Sequence, residues 1–119
     1  MLDLNQLRRE PDAVTAALGR RGVPAGDVAA VVVLDVEHRR LLQESEGLRA
    51  QVKDLSRQVG EARRAKDDAA AAALTEQSRT VGEAERAAAA ATDAVAAELR
   101  TRLLQLPNLP SPDAPDGLD

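Results

Sequence analysis

LDVEHRRLLQESEGLRAQVKDLSRQVGEARR, residues 34–64, is the stretch that decides the fold of this 119-residue chain. Its apolar and small residues recur alternately four and three positions apart, which is the a/d pattern of a coiled coil, and no proline interrupts it. At about 1.5 Å of rise per residue, one helix over this stretch is about 45 Å long. The positions that share the spacing are Leu34, His38, Leu41, Ser45, Leu48, Val52, Leu55, Val59, Ala62 and Lys66.

A second heptad series follows the first and has a seam rich in alanine. The charged run RRAKDD, residues 63–68, separates the two series without a glycine or a proline. Two heptad arms joined by a short polar segment predict an antiparallel hairpin, with a first arm helix over 27–64, a tip over 65–70 and a second arm helix over 71–106. The positions of the second series are Leu74, Gln77, Val81, Ala84, Ala88, Ala91 and Val95, followed after a one-residue skip by Leu99, Leu103 and Leu106.

A coiled coil formed between two chains is the alternative to this hairpin. Ala, Gln, Ser and His on the seam weaken that alternative, because a long intermolecular dimer favours Ile or Val and Leu at these positions. The sequence therefore favours pairing within one chain.

Short helices are predicted before the hairpin, over residues 1–26. Asp3 is placed to cap a helix over Leu4–Arg9, and Pro11 suits the first turn of a second helix that stops at Gly22. Asp27 is predicted to be the N-cap of the first arm helix.

Prolines end the second arm helix. The closing stretch LLQLPNLPSPDAPDGLD, residues 103–119, has four prolines in nine positions, so the helix stops near Leu106 and extended chain follows. We therefore expect an all-α domain over 1–106 and a proline-rich linker over 107–119.

The composition excludes most kinds of catalytic and RNA-binding site. The chain has no Cys, Phe, Tyr or Trp, and its one histidine, His38, lies on the heptad seam without a second metal-binding or catalytic partner. The glycines form no phosphate-binding loop. We expect no metal or cofactor site and no catalysis by this chain alone. Without aromatic side chains, any contact with RNA must be to phosphate and sugar, recognising shape.

The N-terminal segment MLDLNQLRRE has no apolar core of a signal peptide, and no apolar run approaches the ~18 residues of a membrane span. We expect a soluble, cytoplasmic protein that does not bind membranes.

Positive charge is concentrated in the middle of the chain. Residues 39–66 hold eight basic and four acidic side chains, although the whole chain carries a net charge of −4. Such a cluster suits a polyanionic partner at one place, while ordinary solvated charge is the alternative interpretation. The candidate contact residues are Arg49, Lys53, Arg57, Arg63, Arg64, Lys66, Arg79 and Arg86.

Three segments together resemble the N-terminal domain of bacterial seryl-tRNA synthetase. They are MLDLNQLRREPDAVTAALGRRG at 1–22, LDVEHRRLLQESEGLRAQVKDLSRQVG at 34–60 and LLQLPNLPSPDAPDG at 103–117. Residues 61–102 match in periodicity alone. Within the second segment the family's motif maps onto Leu48, Arg49, Ser56, Arg57, Val59 and Gly60, with Arg57 in place of a lysine and Val59 in place of an isoleucine.

The resemblance implies a specific function. In that family this domain is a long antiparallel helical arm that holds the long variable arm and the elbow of tRNA-Ser by backbone and shape. A separate catalytic domain, absent from this sequence, attaches serine with ATP and Mg²⁺ and forms the homodimer. The proline-rich end is then expected to be the connector to that domain, and the chain to be a truncated domain.

Two other functions stay open at this point. One is a non-catalytic structural coiled coil, and the other is a free-standing arm-like module that binds RNA or a protein partner.

Overall fold

Four α-helices form the structure, which is a computed structural model that describes residues 1–109. Residues 1–109 contain no strand, and the two long helices lie antiparallel, which confirms the predicted all-α fold with a coiled-coil hairpin. The contacts divide the chain into a terminal unit, Met1–Val36 with Ala96–Asp119, and a hairpin unit, Glu37–Val95. The helices are α1 (Leu4–Arg9), α2 (Pro11–Arg20), α3 (Ala25–Arg64) and α4 (Asp68–Leu104).

Local capping explains where the first two helices begin and end. The Asp3 carboxylate accepts a hydrogen bond from the backbone N–H of Asn5 at 2.9 Å, and Pro11 occupies the first turn of α2. At the end of α2, Gly22 has φ 87°, a left-handed conformation that glycine adopts without a steric penalty. These three predictions are confirmed.

Apolar side chains from all four helices form the core of the terminal unit. Leucines and valines spaced along α1 and α2 pack against the first turns of α3 and the last turns of α4. Complete burial of one such side chain stabilises the folded state by about 1.5–3 kcal/mol. The core residues are Leu2, Leu7, Val14, Leu18, Val28, Val31, Leu99, Leu103 and Leu106.

Two arginines connect distant segments of the terminal unit. Arg8 donates through Nε and Nη2 to the two carboxylate oxygens of Asp35, at 2.8 and 2.6 Å, and thereby joins α1 to α3. Only 4% of the Asp35 side chain is exposed. Arg21 Nη1 donates to the backbone carbonyl of Asn108 at 3.0 Å, which joins the end of α2 to the segment after α4.

The α3 side of the seam follows the predicted heptads. Each predicted position from Leu34 to Ala62 is buried or half-buried, and Leu41, Ser45 and Leu55 are the most completely buried of them. Lys66, the last predicted position, is exposed and lies beyond the end of α3.

The α4 side of the seam has a different register from the predicted one. Gln77 and Ala84 were expected on the seam and are exposed, whereas Ser78 and Glu85 are half-buried. The expected register was wrong because alanine is equally compatible with seam and surface, and the true seam positions include polar residues. Burial follows Ala71, Leu74, Ser78, Val81, Glu85, Ala88, Thr92, Val95 and Leu99, alternately three and four residues apart.

Two polar residues of the hairpin seam, Thr92 and Glu85, have partners. The Thr92 hydroxyl donates to the carbonyl of Ala88 at 2.7 Å, and Arg49 Nε approaches a carboxylate oxygen of Glu85 at 3.6 Å across the seam. These contacts compensate part of the desolvation of the polar groups. Since small and polar residues bury little apolar area, we expect the hairpin unit to be modestly stable.

The tip is a tight turn of residues 65–67, shorter than the predicted 65–70. Lys66 takes a left-handed conformation with φ 56°, and the N–H of Asp67 donates to the carbonyl of Ala62 at 2.9 Å. This is the Schellman arrangement, in which glycine is the usual left-handed residue. The Asp67 carboxylate accepts from the N–H of Ala70 at 3.1 Å, so α4 begins at Asp68 instead of residue 71.

The other boundaries also differ slightly from those expected. α3 begins at Ala25, and Asp27 lies within its first turn instead of capping it. α4 ends at Leu104, and a final turn closes with the N–H of Leu106 donating to the carbonyl of Leu103 at 3.2 Å. The linker expected over 107–119 lies outside the described residues from position 110 on. Within residues 1–109, no helix has both the length and the apolar content needed to span a membrane.

Candidate nucleic-acid interface

The seam register gives the hairpin unit two chemically different edges. In an antiparallel pair, the e positions of both helices flank one edge of the seam, and the g positions flank the other. The g positions hold glutamate, glutamine and alanine and no cation: Glu37, Glu44, Gln51, Gln58, Ala70, Gln77, Ala84 and Ala91. The e positions hold arginine, one leucine and small residues: Leu42, Arg49, Ser56, Arg63, Thr75, Gly82 and Ala89.

An open groove of about 530 Å³ runs along the e edge of the hairpin unit. Two seam valines form part of its surface, and hydroxyl groups and arginines from both helices surround them. The lining residues, here called the groove, are Val52, Ser56, Val59, Arg63, Thr75, Ser78, Arg79, Gly82 and Arg86.

The groove arginines differ in what holds them. Arg63 and Arg86 are exposed and make no ion pair with another residue of the range 1–109. A Cβ added at Gly82 would lie 3.5 Å from Arg86 Nη1, which places that guanidinium directly over the glycine. Arg79 is bound on both sides, by Glu76 and Glu83.

The structure distributes the eight predicted contact residues over three places. Arg63, Arg79 and Arg86 line the groove, and Arg49 lies on the same edge, paired with Glu85. The others lie away from the groove. Lys53, Arg57 and Arg64 are exposed on the outer side of α3, at positions b and f, and Lys66 is in the tip.

Arg57 is enclosed by carboxylates. Its guanidinium donates to Asp54 and to Glu61, each at 2.6 Å. The hydrogen bond from Arg57, followed by one from Gln58, holds the pKa of Asp54 below its ordinary value. The same contacts raise the pKa of Arg57, mainly through the hydrogen bond to Asp54. One cation between two anions leaves a net charge of −1 at this place.

The arrangement around Arg57 occurs three times in the hairpin unit. In each case an acidic residue three positions before an arginine and a glutamate four positions after it both pair with that arginine, and we call this arrangement a clamp. Its spacing is visible in the sequence, although no clamp was predicted from it. The clamps are Glu37–Arg40–Glu44, Asp54–Arg57–Glu61 and Glu76–Arg79–Glu83.

The groove has the chemistry of a site for a phosphate–sugar backbone. An unpaired guanidinium group can bind phosphate through two parallel N–H bonds, and a hydroxyl group can donate to or accept from sugar and phosphate oxygens. Arg63 and Arg86 supply two such guanidinium groups, and Ser56 and Ser78 supply hydroxyls. Thr75, Ser78 and Gly82 are not among the residues predicted from the sequence, because their grouping depends on the α4 register. Across residues 1–109, no three side chains of His, Asp or Glu are grouped as metal ligands would be.

Comparison with known proteins identifies the family of this chain. Residues 1–110 match the model of the seryl-tRNA synthetase N-terminal domain. The chain belongs to this family.

Serine–tRNA ligases from several bacteria are similar to the chain over its full length. The protein from Afipia carboxidovorans is 37% identical over 119 residues, that from Symbiobacterium thermophilum is 38% identical over 119 residues, and that from Roseiflexus castenholzii is 40% identical over 121 residues. In each alignment the whole chain is covered, together with 27–28% of the relative. The chain therefore spans about a quarter of the length of these ligases and corresponds to their N-terminal domain.

Membership of the seryl-tRNA synthetase N-terminal domain family confirms the resemblance inferred from the sequence and supports a tRNA-binding role. Several residues of the segments that carried the resemblance have structural roles in the terminal unit. Arg8 pairs with Asp35, and Arg21 donates to the Asn108 carbonyl. The first and last of these segments therefore specify how the helices are joined, while the groove lies in the hairpin unit.

Proposed function

We propose that this chain is the tRNA-binding arm of a serine–tRNA ligase and that its hairpin unit holds the long variable arm and elbow of tRNA-Ser. The observation that carries the proposal is the groove, where arginines from two antiparallel helices lie beside hydroxyl groups. A concave site of this kind matches a sugar–phosphate backbone, while the chain has no aromatic side chain on which a base could stack.

Arg63 and Arg86 are the residues to which we assign the main phosphate contacts. Both line the groove, are exposed, and make no ion pair within the described part of the chain. Arg79 contributes from within its clamp, and Lys66 is placed to add a contact at the tip. A binding site built this way recognises the shape of a backbone and does not read a base sequence.

Serine activation belongs to the remainder of the enzyme under this proposal. The ATP and Mg²⁺ implied by the resemblance would act in a catalytic domain that also forms the homodimer, and we assign no residue of this chain to either. Cytoplasmic location follows from the same proposal, since aminoacylation of tRNA serves protein synthesis there.

A competition experiment tests the proposal. Labelled tRNA-Ser is titrated with the 119-residue chain at low salt, with fluorescence anisotropy as the readout, and unlabelled tRNAs with long or short variable arms are added as competitors. We expect the long-armed tRNA to compete better. Equal competition by both would contradict the proposal and indicate binding by charge alone.

Absence of binding at all salt concentrations, together with a mass that increases with protein concentration in light scattering, would instead favour a structural coiled coil.

A further inference from the structure

The outer side of α3 carries three basic residues that do not line the groove. Lys53, Arg57 and Arg64 lie there at positions b and f, spaced four and seven residues apart on the exposed surface. Alone, they would form a stripe of three cations along about 16 Å of helix, which is a second place for a phosphate backbone to bind.

Carboxylates interrupt this stripe. Asp54 lies beside Lys53 and Arg57, and Glu61 lies between Arg57 and Arg64 in the helical sequence. Both bind Arg57 at 2.6 Å, so that the middle cation of the stripe is already paired on both sides. A phosphate that approaches Arg57 would have to displace two carboxylates and would be repelled by both.

Two of the three groove arginines, Arg63 and Arg86, lack this interruption. None of the residues that line the groove is acidic, and the two carboxylates of the Arg79 clamp, Glu76 and Glu83, occupy position f, the heptad position farthest from the seam. Anionic groups are therefore placed on the outer surface and absent from the lining of the groove. Charge placed in this way excludes wrong binding modes as much as it promotes the right one.

We propose that Asp54 and Glu61 are specificity-determining residues, which keep polyanions off the outer side of α3 and so confine RNA to the groove. This inference rests on the proposed function, because it concerns where the same RNA binds. Neutralising both residues would release Arg57 and complete the stripe Lys53–Arg57–Arg64. RNA would then bind the outer side as well, irrespective of its shape.

The experiment compares two variants that change net charge equally. Asp54→Asn with Glu61→Gln, here called the clamp variant, releases Arg57 from both carboxylates. Glu46→Gln with Asp93→Asn is the matched control, since both residues are exposed in the hairpin unit and no ion pair involving either is formed within residues 1–109. Each is titrated by anisotropy with a long-armed tRNA, a short-armed tRNA and heparin, and circular dichroism verifies that helicity is retained.

We expect the clamp variant to bind the short-armed tRNA and heparin at least fivefold more tightly at about 0.1 M salt, the effect of one added phosphate contact. Its preference for the long-armed tRNA should fall towards unity, whereas the control keeps the wild-type preference. Equal gains in both variants, or an unchanged preference in the clamp variant, would overturn the inference.

A rescue experiment locates the new site. Arg63→Ala with Arg86→Ala removes the unpaired groove arginines, and adding the Asp54 and Glu61 substitutions should restore binding to heparin through the outer side. If the control substitutions restore it equally, the inference fails. If the wild-type chain does not distinguish the two tRNAs, the proposed function fails instead. The heparin titrations still test whether Asp54 and Glu61 keep polyanions off the outer side of α3.

Discussion

Loss of the unpaired groove arginines is the most informative perturbation of the proposed interface. The variant Arg63→Ala with Arg86→Ala removes two cations that line the groove and are not neutralised by a carboxylate within residues 1–109. The control, Arg40→Ala with Arg57→Ala, removes the same charge from two clamps. The two variants therefore lose the same amount of positive charge, two arginines each, at different places.

The expected magnitude follows from counterion release. Each phosphate contact contributes about 0.7–0.9 to the slope of log affinity against log salt, so two lost contacts lower the slope by about 1.6. If the variant and the wild type bind equally at 1 M salt, this difference in slope makes the variant's affinity ~40-fold lower than the wild type's at 0.1 M salt and ~7-fold lower at 0.3 M. In the control the clamps had already neutralised both arginines, so we expect the slope to stay unchanged and the affinity to change less than about twofold.

The assay is anisotropy of labelled tRNA-Ser at four salt concentrations, with circular dichroism of each variant at the assay temperature. The control loses exposed ion pairs within each helix, which contribute little to stability, so we expect the hairpin to stay helical at low temperature. Equal losses in the two variants would refute the reasoning, because they would show that net charge, and not the groove, determines binding. A wild-type salt slope in the groove variant would refute it too.

Three further predictions concern stability. Gly47→Ala should raise the thermal midpoint measured by circular dichroism, since a Cβ there meets nothing within 4 Å and alanine in a helix is favoured by about 0.5–1 kcal/mol. Asp35→Ala should lower the free energy of unfolding in urea by about 2 kcal/mol, because Arg8 loses two charge-assisted hydrogen bonds. Acidification should break the contact between Asp54 and Arg57. The hydrogen bond from Arg57 holds the pKa of Asp54 below its ordinary value, so the stabilisation by this contact is fully present above the usual carboxyl pKa of about 4 and is lost as the pH falls through the lowered value; an Asp54 carboxyl that titrates above 4 by NMR would contradict this.

The sequence predicted the α3 part of the hairpin better than the α4 part, and the reason is side-chain size. Leucines and valines such as Leu41 and Leu55 are buried wherever the heptad places them. On α4 the seam includes Ser78, Glu85 and Thr92, and most residues beside it are alanines. Apolar periodicity cannot determine a register when seam and surface residues have similar hydrophobicity.

The sequence named eight candidate contact residues but did not predict how they are grouped. Position along the helices follows from the sequence, whereas the groove depends on which face of α4 meets α3, and that register was wrong at Gln77 and Ala84. The clamps, in contrast, can be predicted without knowing the register between the helices. The sequence shows an acidic residue three positions before Arg57 and a glutamate four positions after it, and helix geometry alone brings these side chains together.

The turn at residues 65–67 has a consequence for the order of folding. Its Schellman hydrogen bond and the Asp67 cap connect atoms within six residues, so they form with little loss of chain entropy. The bond from Arg21 to Asn108, in contrast, joins residues 87 positions apart. Because nearby contacts close first, we infer that the hairpin forms from the tip outwards and that the terminal unit closes last. Substitutions in the turn should therefore slow folding, while loss of the Arg21 bond should mainly accelerate unfolding.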